Sequence, residues 1–165
     1  MKQQLLILSP QEFQLRIGRL RDLMAAAGVD AILVSDNANI YYLTGRVIAG
    51  YVYVPVVGDV RFFVRRPVDL IGEGVEYIRK PEDMAERLNS SCLKNIGLEL
   101  GVLPYSAAQR LMKVVSFATA VNVSSILQEA RSVKTEYEIE LIEQSGLKQE
   151  KVYRKVPQIY RAGMT

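Results

Sequence analysis

Apolar positions along this chain change period several times, and each change predicts an element. Phe13, Ile17, Leu20, Leu23 and Met24 recur at the spacing of one buried helix face. Ser9-Pro10-Gln11-Glu12 precedes them as a start signal: a capping hydroxyl, a proline suited to the first turn, and an acid to close a capping box. Gly28 follows as the stop. Ala31-Ile32-Leu33-Val34 is a continuous apolar run that predicts a buried strand, and Ser35-Asp36-Asn37 predicts a turn. Residues 51–57 and 60–64 are β-rich runs around Gly58-Asp59 and predict a hairpin. Pro55 has no N–H to donate, which places its strand at a sheet edge or a bulge. Beyond it the pattern predicts a strand over 75–78, a helix over 81–88, a strand over 96–100, a helix over 104–112, a strand over 118–123 and a helix over 124–130.

This order predicts an α/β fold, a mixed β-sheet of about five or six strands flanked by helices. A long C-terminal helix is added to it. Thr135-Glu-Tyr-Glu138 is a second capping-box pattern. Leu141, Ile142, Ser145, Val152, Val156, Ile159 and Tyr160 can share one face of the helix it starts, Glu150 and Arg154 form an i,i+4 pair outside, and Pro157 is expected to kink or end it. An apolar face this long implies a partner surface. The expected division is a domain over 1–131 followed by a linker and helix over 132–165.

Composition narrows the function classes. The chain has 165 residues, 49% hydrophobic and 24% charged, ordinary values for a globular protein. Net charge is +3, and the basic residues are interleaved with acids, with Arg65-Arg66 the longest basic cluster. Phosphate tracking needs a basic stripe and base stacking needs aromatics beside it, so nucleic acid is not an expected partner. The apolar run Leu5-Leu6-Ile7-Leu8 is too short for a signal-peptide core or a membrane span, so no membrane is expected and the cytoplasm is the expected location. The single cysteine, Cys92, excludes an internal disulfide and reads as a small packed residue in a helical stretch.

Candidate chemistry is sparse. The chain has no histidine, which removes zinc sites of the nitrogen–sulfur type and any Ser–His or Cys–His nucleophile. Asp30, Asp36, Asp59, Asp69, Asp83 and the glutamates are scattered and read as solvated surface acids. Gly72-Glu-Gly74 and Gly97-Leu-Glu-Leu-Gly101 lack the remaining residues of a phosphate loop and read as turns. Tyr41, Tyr42, Tyr51 and Tyr53 cluster around Asn39-Ile-Tyr-Tyr-Leu-Thr-Gly45. Tyrosine joins an apolar body to a polar tip, so this cluster divides between core packing and an interface or pocket rim.

Four segments, in order, resemble the N-terminal domain of the creatinase/prolidase family, the Xaa-Pro aminopeptidases and dipeptidases. Arg19-x-x-x-Leu23-Met24 with Gly28-Val-Asp-Ala-Ile-Leu-Val34 resembles its first helix and strand. Asn39-Ile-Tyr-Tyr-Leu-Thr-Gly45 resembles its Asn-x-x-Tyr-Leu-Thr-Gly signature. Gly97-Leu-Glu-Leu-Gly101 is similar to its Ile-Gly-x-Glu strand. Arg131-Ser-Val-Lys134-Thr-Glu-Tyr-Glu138-Ile resembles its linker into the catalytic domain, and Ala162-Gly163-Met164-Thr165 resembles the ending of that domain's first helix.

The resemblance implies a ribonuclease H-like sheet motif over 1–131 and, over 132–165, the linker and first helix of a missing catalytic domain. It implies a pita-bread metallopeptidase whose two metal ions (manganese, cobalt or zinc) are held by Asp, His and Glu residues beyond this segment. No metal ligand or catalytic residue is therefore expected in this chain, and the segment alone is expected to be inactive. It further implies an oligomerisation and pocket-shaping role, with the catalytic domain and a second copy in a homodimer as partners and proline-containing peptides as substrates. By that analogy Arg46 would meet a peptide carboxylate, and Tyr42 or Tyr51 would wall the pocket. The alternative is a stand-alone binding or oligomerisation module of the same fold; a nuclease is disfavoured, because no set of carboxylates converges at strand ends.

Overall fold

The computed structural model describes residues 2–88, 93–161 and 163–164. Cys92 and its predicted packing lie outside the described residues. The chain divides into two compact units, Met1–Arg131 and Ser132–Thr165.

The first unit follows the apolar pattern closely. After a short strand β1 (Gln3–Gln4), helix α1 runs over Pro10–Ala26. Ser9 caps it by accepting the Glu12 amide, and Gly28 takes a left-handed φ of 66° just past its end. Then come β2 (Ala31–Val34), α2 (Asn37–Thr44), β3 (Ala49–Pro55), β4 (Arg61–Arg66), β5 (Leu70–Ile71) and β6 (Val75–Tyr77). A 3₁₀ turn over Pro81–Met84 leads into α3 (Ala85–Leu88), followed by β7 (Asn95–Leu98), α4 (Tyr105–Val114), β8 (Thr119–Asn122) and α5 (Ser124–Ser132). Among the described residues, the main sheet has six strands in the order β6-β4-β3-β2-β7-β8, and β1 pairs separately with β5.

Alternation along the strands builds two cores. Ile32, Val34, Val52, Val54, Phe62 and Val64 point to one face, where Phe13, Ile17 and Leu20 of α1, Ile40 and Leu43 of α2, and Leu127 of α5 meet them. Ala31, Leu33, Tyr53, Phe63, Ile96 and Leu98 point to the other, packed by Met84, Leu88 and the α4 residues Leu111 and Val114. Both faces of the sheet are covered by helices, which is why β2 is apolar at every position.

Two local expectations are corrected. Ser35-Asp36-Asn37 is more than a turn: Asp36 caps α2, its carboxyl group accepting the Ala38 amide at 2.9 Å, and the helix runs through the tyrosine segment to the left-handed Gly45. Pro55 lies in an interior strand, at neither an edge nor a bulge; the bulge falls at Ala49/Gly50. The Val56 amide bonds Asp30 O at 2.9 Å, so at the neighbouring Ala31–Pro55 pair the proline nitrogen faces away from β2. On that side β4 begins opposite Tyr53, short of Pro55, and no ladder bond is lost.

The second unit is dominated by α6 (Glu136–Ile159). Thr135 and Glu138 form the reciprocal capping box: Thr135 Oγ1 accepts the Glu138 amide at 3.2 Å and Glu138 Oε2 accepts the Thr135 amide at 3.0 Å. Pro157 sits inside the last turn and the helix continues two residues past it. No residue of α6 is buried. No helix among the described residues is long and apolar enough to cross a membrane.

Candidate functional site

Strand direction defines where a site can form. β2, β4, β6, β7 and β8 all run one way; only β3 opposes them. Five strand C-termini therefore share one rim with the start of β3. In open α/β sheets ligands collect at this rim, above all where neighbouring strands send their connections to opposite faces. That switch falls between β2 and β7. β2 leads into α2 on one face and β7 leads into α4 on the other.

At the switch the chain has placed its own acid. Glu99, one residue past β7, has no exposed surface. Its Oε2 accepts the Ser35 amide, the Ser35 hydroxyl at 2.9 Å and the Asp36 amide at 2.8 Å; its Oε1 accepts Asn39 Nδ2. A negative group at the N-terminus of α2 also complements the helix dipole. Gly97 makes the approach possible, since a Cβ there would lie 2.5 Å from Val123 Cγ1 and 2.9 Å from Ile32 Cγ1. Glu99 thus overturns the expectation that the glutamates are all solvated surface acids, and the run over 97–101 is a strand end carrying a buried acceptor. The signal in the sequence was an acid flanked by apolar neighbours, Ile96-Gly-Leu-Glu-Leu100, in a buried strand.

The opposite end of the same strand pair carries a matching clamp. Asp30, just before β2, accepts the Lys94 and Asn95 amides at 2.7 and 2.8 Å, and these two bonds hold its carboxyl below the usual range. Each strand contributes an acid to its neighbour's terminus.

The tyrosine segment belongs largely to the core. Tyr42 is 4% exposed, its hydroxyl donates to Ala130 O at 3.0 Å, and Arg16 lies 4.7 Å from its ring centroid. Arg16 also donates to Tyr42 O and pairs with Glu12 at 2.7 Å, joining α1 to α2 inside the protein. A wall of an open pocket is therefore not where Tyr42 lies. Thr44, fully buried, donates to backbone carbonyls and accepts the Arg46 amide at 3.1 Å. Tyr53 is buried, and Tyr41 is exposed.

The three residues expected at a pocket rim are not brought together. Arg46 is half-buried and donates from Nη1 to Gln3 Oε1 at 3.0 Å; its Nε has no partner among the described residues. Tyr51 does face a cavity, of about 290 Å³, with Ser35, Asn37, Arg65 and Leu111, and Arg46 does not line it. Burial pushes the Tyr51 hydroxyl above its ordinary value, with Arg65 and Arg110 pulling it the other way. A second cavity of about 730 Å³ adjoins the first through Ala49 and Arg65. On the neighbouring surface Arg110 grips Glu82 through two hydrogen bonds and holds that carboxyl down to about 2.

Among the described residues no group of three or more His, Cys, Asp or Glu side chains is placed to hold a metal ion. Among the described residues the buried acids are engaged within the fold, Glu99 by two amides, the Ser35 hydroxyl and Asn39, and Glu12 by Arg16.

Residues 16–133 match the Creatinase/Prolidase N-terminal domain. A Xaa-Pro dipeptidase of Pyrococcus horikoshii is 24% identical over 136 residues, covering 79% of this chain and 38% of the relative. The structure of a Xaa-Pro dipeptidase from Bacillus anthracis superposes with a TM-score of 0.80 at 20% identity, over 93% of this chain and 45% of that one. The N-terminal domain of the cytoplasmic peptidase PepQ from Mycobacterium tuberculosis superposes at 0.60 with 23% identity, over 70% of this chain and 98% of that one. The chain thus spans less than half the length of the curated relatives it matches.

Proposed function

The chain belongs to the creatinase/prolidase N-terminal domain family, and from that premise we propose that it serves as the non-catalytic N-terminal part of a Xaa-Pro peptidase. In this reading 1–131 is the family's N-terminal domain, and 132–165 is the linker and first helix of the catalytic domain. The parent enzyme is a cytoplasmic, metal-dependent hydrolase acting on proline-containing peptides, and the sheet unit helps form its homodimer and shapes the pocket. Two features support this. The family match covers nearly all of the sheet unit. Within that unit, the place where an α/β sheet would bind a ligand is filled by Glu99 and bonded to saturation.

The second feature carries the reading, because it assigns the family's two signature segments to holding the fold together. The Asn39 segment and the Gly97-x-Glu99 strand meet each other through the Asn39–Glu99 hydrogen bond. Fold kinship alone is thin warrant for chemistry, so the test is direct. The purified 165-residue chain is assayed on Xaa-Pro dipeptides and longer Xaa-Pro peptides with manganese or cobalt, and its mass in solution is measured by light scattering. No metal-dependent turnover and a dimer are expected. Turnover that co-purifies with the chain and responds to metal would overturn the non-catalytic assignment; a strict monomer would remove the oligomerisation role.

A further inference from the structure

Most arginines of the sheet unit have an acceptor for their guanidinium group. Arg16 is met by Glu12, Arg61 and Arg87 by Glu76, and Arg110 by Glu82, while Arg21 donates to the carbonyls of Pro55 and Gly58. Arg65 and Arg66 at the end of β4, and Arg79 just past β6, differ. All three line the cavity of about 730 Å³. Among the described residues, none of their guanidinium groups has a carboxylate or carbonyl acceptor within hydrogen-bond distance.

Like charges gathered on one cavity repel, and among the described residues no acid lines it; the nearby Asp83 carboxyl group is turned to the Arg79 and Lys80 amides. A guanidinium presents five donors in a planar fork that suits carboxylate and phosphate oxygens. The remaining lining is apolar or already satisfied. Val68 and Ile78 present only carbon, and the Tyr77 hydroxyl both accepts the Leu70 amide and donates to Leu70 O, at 2.7 and 2.9 Å. An apolar wall behind the cations strengthens their field. The location fits as well, since β4 and β6 are parallel neighbours and their C-terminal ends belong to the ligand-collecting rim. The switch point of that rim is closed by Glu99, and this corner is left open.

We propose that Arg65, Arg66 and Arg79 form a binding site for a compact polyvalent anion, of the phosphate-ester or polycarboxylate class. The space exceeds that of one carboxylate, and three cations call for more than one negative charge. The site lies within the sheet unit, and its test requires no turnover.

The test is calorimetric titration of the 165-residue chain, in dilute chloride buffer, with inorganic phosphate and separately with citrate. Saturable binding at millimolar anion or below is expected for at least one probe. The tighter probe assigns the class, phosphate or polycarboxylate. Arg65→Ala/Arg79→Ala is expected to weaken binding roughly tenfold or more, the loss of charge-assisted hydrogen bonds, and added salt to weaken it steeply. Arg46→Ala, at a residue that does not line this cavity, is expected to bind as the parent does. Arg65 and Arg79 are exposed, and thermal unfolding of each variant checks that the fold is retained. Absence of saturation by both probes would overturn the proposal, as would a folded double variant that binds like the parent chain.

Discussion

Two corners of one rim treat charge in opposite ways. Between β2 and β7 a single carboxyl group, Glu99, is fully enclosed and meets four donors. At the ends of β4 and β6 three arginines line one cavity, and their guanidinium groups meet no acceptor among the described residues. The first corner spends its charge on the fold; the second keeps it available. The difference teaches that position at a strand C-terminus does not by itself make a functional group. What matters is whether the chain has already satisfied it, because a buried polar group must be paired while an exposed cation need not be.

The largest effect that separates the corners is expected at Glu99. Glu99→Ala leaves amides of the β2–α2 junction and the Asn39 side chain without their acceptor, and about 3 kcal/mol of stability is expected to go. Urea unfolding followed by circular dichroism reads this. A loss near zero would show that water replaces the carboxyl group and that the corner is not closed. Next comes Gly97→Ala. Its methyl would sit 2.5 Å from Val123 Cγ1, so the β7 packing must shift, at about 2 kcal/mol. A stability equal to the parent's would mean that Glu99 does not depend on this close approach.

The smallest effect is a matter of pH. Asp30 holds the other end of the β2–β7 pair, and its folded pKa lies below the ordinary carboxyl value because the Asn95 and Lys94 amides bond the charged form. A depressed folded value contributes stability above the unfolded pKa, about 3.9, and loses it as pH falls through the folded value. Glu82, held at about 2 by Arg110, and Asp83, lowered by the Lys80 and Arg79 amides, act in the same direction. The urea midpoint is therefore expected to stay level down to about pH 5 and to fall below about pH 4. Asp30→Asn is expected to start lower and to fall less on acidification. An unchanged pH profile in that variant would leave the clamp at the β2 start without electrostatic content.

The sequence carried much of the fold because the sheet is covered on both faces. Apolar runs such as Ala31-Ile-Leu-Val34 and the periodic face of α1 leave little choice of element. Both capping hydroxyls, Ser9 and Thr135, were readable because their chemistry is local. Helix α2 was not. Its cap Asp36 is local and reads equally well as a turn residue, while the acid that fixes the Ser35 and Asp36 amides and the Asn39 side chain is sixty or more residues away. Pro55 was misplaced for a related reason: its tolerance depends on where β4 begins, which no window around the proline records. The tyrosines were not separable by sequence: Tyr42, expected at a pocket wall, lies in the core with its hydroxyl tied to Ala130, far along the chain.

Strand order has a further, kinetic consequence. β2, β3 and β4 are neighbours in sequence as well as in the sheet, joined by α2 and by a turn over 56–60, so they can pair early at modest cost in chain entropy. β7 must arrive from the far edge of the sheet, and Glu99 meets Ser35 only after a loop of 64 residues has closed. The acid is thus among the last parts to lock. Interactions made that late slow opening far more than they speed assembly. Removing the Glu99 carboxyl group should appear mainly as faster unfolding in a stopped-flow trace, with the refolding limb nearly unchanged. A refolding limb that slows instead would place β7 in the nucleus. On the expected outcome, the residue that closes the ligand position of this rim also governs how long the sheet stays shut.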